Sequence, residues 1–192
     1  MNFLKQDIPD LIIIEPTLYE DNRGYFAETF RQDQFEDFLG LKIDFCQENE
    51  SKSSKGVLRG LHFQLPPKAQ SKLVRVVEGD VLDVAVDIRK YSPTFMQHVA
   101  VRLSDQNNLQ FFIPRGFAHG FVVLSRTATL VYKVDNYYSS DLDQGLAYNS
   151  PELNIDWLLP KNEILLSEKD SSLPKSLKEE YCFDYKVNQY GQ

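Results

Sequence analysis

His62 is a titratable residue with several polar and cationic residues close to it in the sequence. It lies in VLRGLHFQLPP, three residues after Arg59 and ten residues before Lys72. Alternate side chains of an extended chain point the same way, so His62 falls on a polar face beside Gln64. An imidazole of ordinary pKa, about 6.5, gains and loses a proton near neutral pH. The position suits proton transfer, and it equally suits a surface or hydrogen-bonded structural histidine.

The other two histidines have different surroundings. His119 lies in IPRGFAHGF with glycines on both sides, whereas His98 begins a predicted strand and has no nearby polar partner. A metal site needs about three converging ligands, and neither HxH nor HxxxH occurs in the chain. His62 and His119 could meet in a barrel, but their spacing does not decide this. We therefore expect no metal site.

Three tyrosines follow one another near the end of a predicted strand. Tyr132, in TLVYKVDNYYSSD, shares strand parity with apolar residues on either side, which predicts a ring that points inward or into a cleft. The alternative is an ordinary core or rim tyrosine. Tyr137 and Tyr138 come at the strand end, where a flat ring could stack on a base or simply occupy a turn.

Three charged residues elsewhere have local contexts that leave their roles open. Asp170, in LLSEKDSSLP, suits either a helix cap or a carboxylate that orients a histidine. Arg23, in EDNRGYFAETF, suits a turn, and Glu28 lies near two aromatic residues of the same stretch. No GxGxxG, GxxxxGKS/T or GxSxG motif occurs, so nicotinamide, P-loop nucleotide and serine hydrolase interpretations lose their main support.

Length and composition predict one globular domain. The chain has 192 residues, 42% hydrophobic and 26% charged, which is ordinary for a globular protein. The longest stretch without a charged residue, 91–101, is too short for a membrane helix of ~20 residues, and the N-terminus lacks the apolar core of a secretory signal. Cys46 and Cys182, the only cysteines, predict neither a disulfide scaffold nor a thiolate zinc site.

The net charge of the chain bears on which partners it could bind. The net charge of −7 argues against a broad nucleic-acid-binding face, although a local cluster of Arg and Lys could still bind a small anion. Together with the cysteine content and the lack of a signal or membrane segment, this predicts a cytoplasmic protein without a nucleic-acid or membrane partner.

Short apolar runs and polar turns alternate from Ser71 onward. KLVRVV and VLDVAVDIR, QHVAVRL and LQFFIP, and FVVLS and ATLVYKV are pairs of β-type runs around short turns, which predicts three hairpins. Many short strands, with helices only near the ends, indicate a β-sandwich or small barrel. Helices are predicted in FRQDQFEDFLG, which ends at Gly40, at 167–170, which has capping-box spacing, and at 174–180.

The order of the motifs resembles one known family. EDNRGYFAETF, QEN, VLRGLHFQ, KLVRVVEGDVLDVAVDIRKYSPTF, IPRGFAHGF, VYKVDNYYS and LSEKD occur in that order, and the chain is similar to the dTDP-4-dehydrorhamnose 3,5-epimerase family of the cupin superfamily over roughly 8–185. The resemblance implies a single sugar-nucleotide epimerase domain spanning 1–192. It implies an all-β, cupin-type jelly-roll barrel with short helices near the N- and C-termini, a homodimer and no cofactor.

The resemblance also implies an isomerase. Its substrate would be dTDP-4-dehydro-6-deoxy-D-glucose, inverted at C3 and C5 to give dTDP-4-dehydro-L-rhamnose in deoxysugar biosynthesis. The C4 ketone acidifies neighbouring C–H bonds, and inversion needs a base on one face and an acid on the other. The close alternative is an epimerase acting only at C3 or only at C5 of a related nucleotide-linked 4-ketosugar. A metal-dependent cupin enzyme and an inactive sugar-nucleotide-binding module are more distant alternatives.

Residue roles follow from the same resemblance. His62 matches the family's base, Tyr132 its proton donor and Asp170 the carboxylate that orients the base. Lys72 and Arg59 match cations of the substrate pocket, and Lys72 is the better candidate for stabilising an enolate. The other positions that match substrate contacts are Arg23, Glu28, Gln47, Glu48, Asn49, His119, Asp143, Lys169 and, for stacking on thymine, Tyr138.

The sequence departs from the family pattern at a few positions. Asp143 stands where Glu is usual, and Tyr148 and Ser150 replace the Trp and Asp of a WND segment. Leu158 follows a tryptophan where Pro is common. Gln64 stands where a metal-binding cupin has its second histidine. None of these departures falls on the base or the donor, and the last agrees with a metal-free reaction.

Overall fold

The computed structural model describes residues 1–191, and β-strands account for most of its regular structure. Helices α1 (Gln32–Leu39) and α2 (Glu168–Ser171) lie near the two ends of the chain, and short 3-10 turns occupy Ser140–Leu142, Lys161–Glu163 and Glu179–Tyr181. The strands are, in chain order, β1 (Asn2–Lys5), β2 (Ile12–Glu15), β3 (Leu18–Asp21), β4 (Gly24–Ala27), β5 (Gln47–Ser54), β6 (Leu58–Gln64), β7 (Lys72–Glu78), β8 (Asp80–Asp87), β9 (Arg89–Lys90), β10 (His98–Ser104), β11 (Gln110–Ile113), β12 (Phe117–Val123), β13 (Thr127–Val134), β14 (Asp143–Gly145) and β15 (Phe183–Asp184).

Two antiparallel sheets enclose the core. The first has the order β1-β2-β11-β7-β13-β5, and the second has the order β10-β8-β12-β6-β14. Buried side chains of both sheets form one cluster, with Val74 and Leu130 from the first sheet and Ala85 and Phe121 from the second. Each large apolar side chain buried there contributes ~1.5–3 kcal/mol to folding. The prediction of an all-β jelly-roll fold is confirmed.

The three predicted hairpins are wrong, although the strands themselves form. Strand β7 pairs with β11 and β13, whereas β8 pairs with β10 and β12. The turns after β7, β10 and β12 therefore carry the chain from one sheet to the facing one, as in a jelly roll. A turn pattern encodes a reversal of the chain, but which strand becomes the hydrogen-bonded neighbour depends on how the apolar faces pack.

The outer face of the second sheet is also covered. Leu146, Leu153, Trp157 and Phe183, from the C-terminal part of the chain, are buried against it. Strands β8 and β12 are consequently buried along nearly their whole length. Strands buried on both faces need no polar alternation, which explains the continuous apolar runs in these two segments.

The helix predictions are partly confirmed. Helix α1 ends at Gly40, whose φ of 67° is left-handed, a conformation that glycine adopts readily. Helix α2 begins after Ser167, whose side chain accepts the N–H of Asp170. The helix predicted at 174–180 is wrong, and the segment instead packs against the loop after β14, where the Pro174 carbonyl accepts the N–H of Ala147 at 2.8 Å. Within this segment only the 3-10 turn Glu179–Tyr181 forms.

None of the helices within residues 1–191 is long and apolar enough to cross a membrane.

Candidate active site

A cavity of about 340 Å³ opens between the two sheets. Strands β5, β7 and β13 of the first sheet and β6, β12 and β14 of the second supply its walls, and helix α2 closes one side. Nine of the predicted site residues line it: Arg59, His62, Lys72, His119, Tyr132, Tyr138, Asp143, Lys169 and Asp170.

His62 and Asp170 form a pair at this cavity. The imidazole Nε2 lies 2.6 Å from Asp170 Oδ1, and Ser167 Oγ donates to Asp170 Oδ2 at 2.7 Å. The other ring nitrogen of His62, Nδ1, is buried and has no hydrogen-bond partner among residues 1–191. An aspartate on Nε2 fixes the tautomer that carries its proton there and leaves the Nδ1 lone pair as the acceptor.

The charge of Asp170 is stabilised by its neighbours. Burial, the largest single influence, raises its pKa, but the hydrogen bonds of His62 and Ser167 and the N–H of Gly60 together outweigh burial and hold the pKa of Asp170 below its usual value. Asp170 is therefore a carboxylate at neutral pH and can stabilise an imidazolium that forms on His62. The helix-cap prediction for Asp170 is wrong, because Ser167 is the N-cap of α2 and Asp170 lies within its first turn, where it is the partner of the histidine.

A register shift brings Arg59 to the cavity. Strict strand alternation would place Arg59 on the face opposite His62, but the pairing of β6 with β12 shifts between His119 and Phe121. Gly60, at φ +119°, lies so close to β12 that a Cβ would be 2.5 Å from the Gly120 Cα. The extra residue of such a bulge changes the side to which the following side chains point, so Arg59 and His62 line the same cavity.

Arg59 remains available to an anion. Its Nε and Nη2 donate to Ser53 Oγ, both at 3.2 Å, and within residues 1–191 it forms no ion pair with a carboxylate. A guanidinium with unused donors suits a phosphate group, which it can bind through two parallel hydrogen bonds.

Lys72 and Tyr132 lie on the wall facing His62. Strands β7 and β13 of the first sheet carry them, whereas His62 belongs to the second sheet, and Lys72 Nζ lies 6.0 Å from the Tyr132 ring centroid. Burial lowers the pKa of Lys72 to about 8, with the charges of Asp143 and Asp83 opposing it. Burial raises the pKa of Tyr132. Near pH 7 the cavity therefore holds an ammonium and a neutral phenol.

We expect kcat/KM to fall as the pH rises through about 8, because Lys72 loses its proton there. The folded-state pKa is lowered, so the cation is present below this pH and lost above it. Tyr132, with its raised pKa, stays protonated through this range. In Lys72→Arg, whose guanidinium remains charged, the basic limb should disappear even if the rate is lower. A pH–rate profile checks this, and the same limb in both proteins would contradict the assignment.

His119 faces His62 across neighbouring strands. The two residues are register partners in β12 and β6, so the barrel does bring these histidines together. His119 Nε2, however, lies 2.9 Å from both carboxylate oxygens of Asp83, which is fully buried. Each histidine thus has its own carboxylate. No group of three or more His, Cys, Asp or Glu side chains within residues 1–191 is arranged to hold a metal ion.

Asp143 organises one side of the cavity mouth. It accepts hydrogen bonds from Gln64 Nε2 at 3.1 Å and from the Tyr138 hydroxyl at 3.3 Å, and it forms an ion pair with Lys169. The Gln64 oxygen in turn accepts the N–H of Ser139 at 2.9 Å. Tyr138 is 55% exposed, so its ring is accessible at the rim. The shorter side chain of an aspartate is sufficient to reach all three partners.

Five predicted contact residues do not line this cavity: Arg23, Glu28, Gln47, Glu48 and Asn49.

Three of these five residues lie at different distances from the cavity. Arg23 lies in the hairpin of β3 and β4 and pairs with Asp21. Glu48 points away and forms an ion pair with Lys133. Gln47, on β5, lies closer to the rim, where its side-chain oxygen accepts the N–H of Tyr138 at 3.3 Å.

Other residues at the site had weak sequence signals. Ser167 showed only helix-capping spacing, which does not reveal that its hydroxyl also donates to the Asp170 carboxylate. Asp83 lies within a buried strand, 36 residues from His119, and nothing local connects the two. Ser53, the partner of Arg59, and Phe121, an apolar wall residue, had no distinguishing context.

The departures at Tyr148, Ser150 and Leu158 lie outside the lining of this cavity. Tyr148 and Trp157 pack edge to face at 6.3 Å, and the Trp157 Nε1 donates to the Tyr148 carbonyl at 3.0 Å. These three positions therefore lie in a loop that packs beside the second sheet, away from the cavity.

Comparison with known proteins identifies the class. The family model described as dTDP-4-dehydrorhamnose 3,5-epimerase matches residues 5–179. The dTDP-4-dehydrorhamnose 3,5-epimerase of Shigella flexneri is 52% identical over 181 residues, covering 94% of this chain and 99% of its own. A crystal structure of dTDP-6-deoxy-D-glucose-3,5-epimerase from Legionella pneumophila, in complex with dTDP-4-keto-L-rhamnose, has 46% identity and a TM-score of 0.91, covering 97% of this chain and 99% of the other.

A relative with narrower chemistry is more distant. ChmJ from Streptomyces bikiniensis, a 3′-monoepimerase in complex with dTDP-quinovose, has 32% identity and a TM-score of 0.82, covering 88% of this chain and 85% of the other. The fold and the cavity define an all-β enzyme of the cupin type, and the sequence match is more specific than that. The chain belongs to the dTDP-4-dehydrorhamnose 3,5-epimerase family.

Proposed function

We propose that this protein inverts C3 and C5 of dTDP-4-dehydro-6-deoxy-D-glucose, giving dTDP-4-dehydro-L-rhamnose. The observation that carries the proposal is the placement of His62 and Tyr132 on opposite walls of one cavity, on β6 and β13. A sugar ring between the walls presents one face to a base and the other to an acid. Removal of a proton from one face and delivery to the other is what inversion requires.

The proton abstraction is assigned to His62. Asp170 holds its Nε2, so that Nδ1 is the basic atom and the charge formed on the ring is stabilised. The electrons of the broken C–H bond move into the C4 carbonyl and form an enolate, which needs a cation nearby. Lys72 is charged below pH 8 and has no acceptor of its own within residues 1–191, which makes it the group assigned to the enolate oxygen.

The return of the proton is assigned to Tyr132. Its raised pKa keeps the phenol protonated at neutral pH, and it lies on the wall opposite His62. Arg59, which has no carboxylate partner, is assigned to the diphosphate of the substrate. Tyr138, at the rim, is assigned to stacking on the thymine ring. His119, Asp143 and Lys169 complete the contacts proposed for the nucleotide sugar, which binds without a cofactor.

An epimerase acting at a single carbon is the second candidate, because the 3′-monoepimerase ChmJ belongs to the similar structures. The Shigella flexneri relative, described as a 3,5-epimerase, shares 52% identity with this chain, against 32% for ChmJ, which favours action at both carbons. Proton NMR of the 4-ketosugar nucleotide in heavy water tests the choice. Deuterium at C3 and C5 with inversion of both is expected, whereas exchange and inversion at C3 alone would establish the monoepimerase.

We expect activity to be independent of metal ions. Cys, His and carboxylate side chains are not grouped for metal binding anywhere in residues 1–191, and the proposed chemistry uses the Lys72 ammonium where a metal could otherwise stabilise an enolate. Dialysis against a strong chelator should leave the rate unchanged. Loss of activity that one divalent cation restores would instead place the protein among metal-dependent cupins.

A homodimer is proposed on the basis of the hairpin formed by β3 and β4. It pairs only with itself in the sheet topology and exposes Tyr19, Tyr25 and Phe26 at 59–66%. Neighbouring exposed aromatic residues are typical of an interaction surface, and Arg23 and Glu28, which do not line their own cavity, would reach a neighbour's. Sedimentation equilibrium tests this, since a monomer at assay concentration would contradict it.

A further inference from the structure

The C-terminal segment 185–190 packs beside β7 and β13, the strands of the first sheet that carry Lys72 and Tyr132. The Tyr190 hydroxyl lies 2.8 Å from Ser71 Oγ and accepts the N–H of Arg115 at 3.3 Å. The Arg115 guanidinium lies over the Tyr190 ring, 4.9 Å from its centroid, and Nη1 donates to the Gln189 carbonyl at 2.9 Å. The family match ends at residue 179, so this segment is outside it.

The partners of Tyr190 are joined to each other through Asp135. The N–H of Ser71 donates to Asp135 Oδ1 at 2.6 Å, and Arg115 Nε donates to Asp135 Oδ2 at 3.1 Å. Ser71 is fully buried, and the Asp135 side chain is 3% exposed. Buried polar groups that lose a partner are costly, so such a network holds its members in one arrangement.

The members of this network adjoin strands that form the cavity. Ser71 immediately precedes Lys72 at the start of β7, and Asp135 directly follows β13, the strand of Tyr132. Arg115 lies between β11 and β12. The network therefore fixes the ends of two strands whose side chains meet at the cavity, and Tyr190 is the member that the C-terminal segment supplies.

We propose that Tyr190 is a positioning residue, whose hydroxyl fixes Ser71 and thereby sets the position of Lys72 opposite the substrate ketone. This rests on the proposed function, since it assigns Lys72 to the enolate. Preorganised charge acts only when it is correctly placed, and a displacement of about 1 Å remote from the reacting atoms can cost a large factor in rate. A backbone position one residue before Lys72 is well placed to cause such a displacement.

The variant Tyr190→Phe tests this, because it removes the hydroxyl and keeps the ring over Arg115. We expect kcat to fall roughly 10-fold, with the Kd for dTDP within twofold of wild type and the protein folded at the assay temperature. Ser71→Ala removes the same hydrogen bond and should have a similar effect, and the double variant should be no worse than the more impaired single one. Tyr185→Phe is the matched control, since Tyr185 stacks on Arg89 from the same segment, and its kcat should be unchanged.

Amide hydrogen exchange gives a readout that does not depend on the reaction. Faster exchange at Lys72 and Leu73 in Tyr190→Phe, with the rest of β7 and the Tyr185→Phe control unchanged, is the expected result. Unchanged exchange at these amides overturns the proposal even if the wild-type protein does not epimerise the nucleotide sugar, in which case the proposed function has failed separately. With an active wild type, a kcat within twofold for Tyr190→Phe, or parallel losses in kcat and dTDP binding, overturns it as well.

Discussion

Replacing His62 by asparagine should reduce epimerisation by ~10²–10⁴-fold or more, the usual cost of removing a general base. The amide keeps a polar side chain at the cavity wall but cannot take a proton from the sugar carbon. Because His62 is 24% exposed at its side chain and packs at the cavity wall, the fold and the affinity for dTDP should change little. Turnover is measured by NMR of the ketosugar nucleotide, and binding of dTDP is measured by calorimetry on the same protein.

Two further variants make this result specific. His98→Asn is the matched control, since His98 begins β10, lies outside the cavity and has an imidazole without a hydrogen bond within residues 1–191; its turnover should match wild type. Asp170→Asn should cost less than His62→Asn, because it weakens the orientation and charge stabilisation of the imidazole without removing it. If His62→Asn epimerises within a few-fold of wild type, another group is the base, and a fully active Asp170→Asn would remove the pair from the mechanism.

Replacing Tyr132 by phenylalanine should separate proton exchange from inversion. The change removes the hydroxyl and leaves the ring packed against the core cluster, while His62 and Lys72 stay in place. His62 can still take a proton, but the enolate has lost its acid on the opposite wall. In heavy water, deuterium should therefore enter the sugar by return from the His62 side with retention of configuration, while the epimerised product falls far more than exchange does.

A control variant and two contrary outcomes complete the test of Tyr132. Tyr137→Phe alters a neighbouring tyrosine that is 61% exposed and outside the cavity lining, so both exchange and product formation should be unaffected. Parallel loss of exchange and product in Tyr132→Phe would mean that the hydroxyl serves binding or enolate formation. Unchanged product formation would remove Tyr132 from the mechanism and leave Lys72 or a bound water as the donor.

The individual strands and the first helix could be predicted from the sequence because their signals are local. The runs that form β7, β8, β10, β11 and β13 show β-branched and aromatic residues between turn residues, and Gly40 marks the end of α1. Predictions based on resemblance placed nine residues that the structure does bring to one cavity. Their roles remain predictions, because position alone does not establish which group moves a proton.

The pairing of strands and the assembly of the site depend on contacts between distant parts of the chain. Whether β8 pairs with β7 or faces it across the core depends on apolar packing, and the sequence around the turn is compatible with both arrangements. His62 and Asp170 are 108 residues apart, and Ser167 reaches this pair only because α2 packs beside β6. The segment at 174–180 has helix-forming residues, yet it forms no α-helix and makes a tertiary hydrogen bond through the Pro174 carbonyl.

The sequence by itself determined the residue types available for proton transfer, the acidic character of the chain and the β-type runs that become β7, β8, β10, β11 and β13. Only the tertiary structure shows how Arg59 comes to share a cavity with His62, because the register shift beside Gly60 reverses the alternation that an unbroken strand would have. It also decided that His119 faces His62 yet pairs with Asp83. The reason is physical: side-chain alternation is set by the local backbone, whereas register and sheet membership are set by which surfaces bury each other.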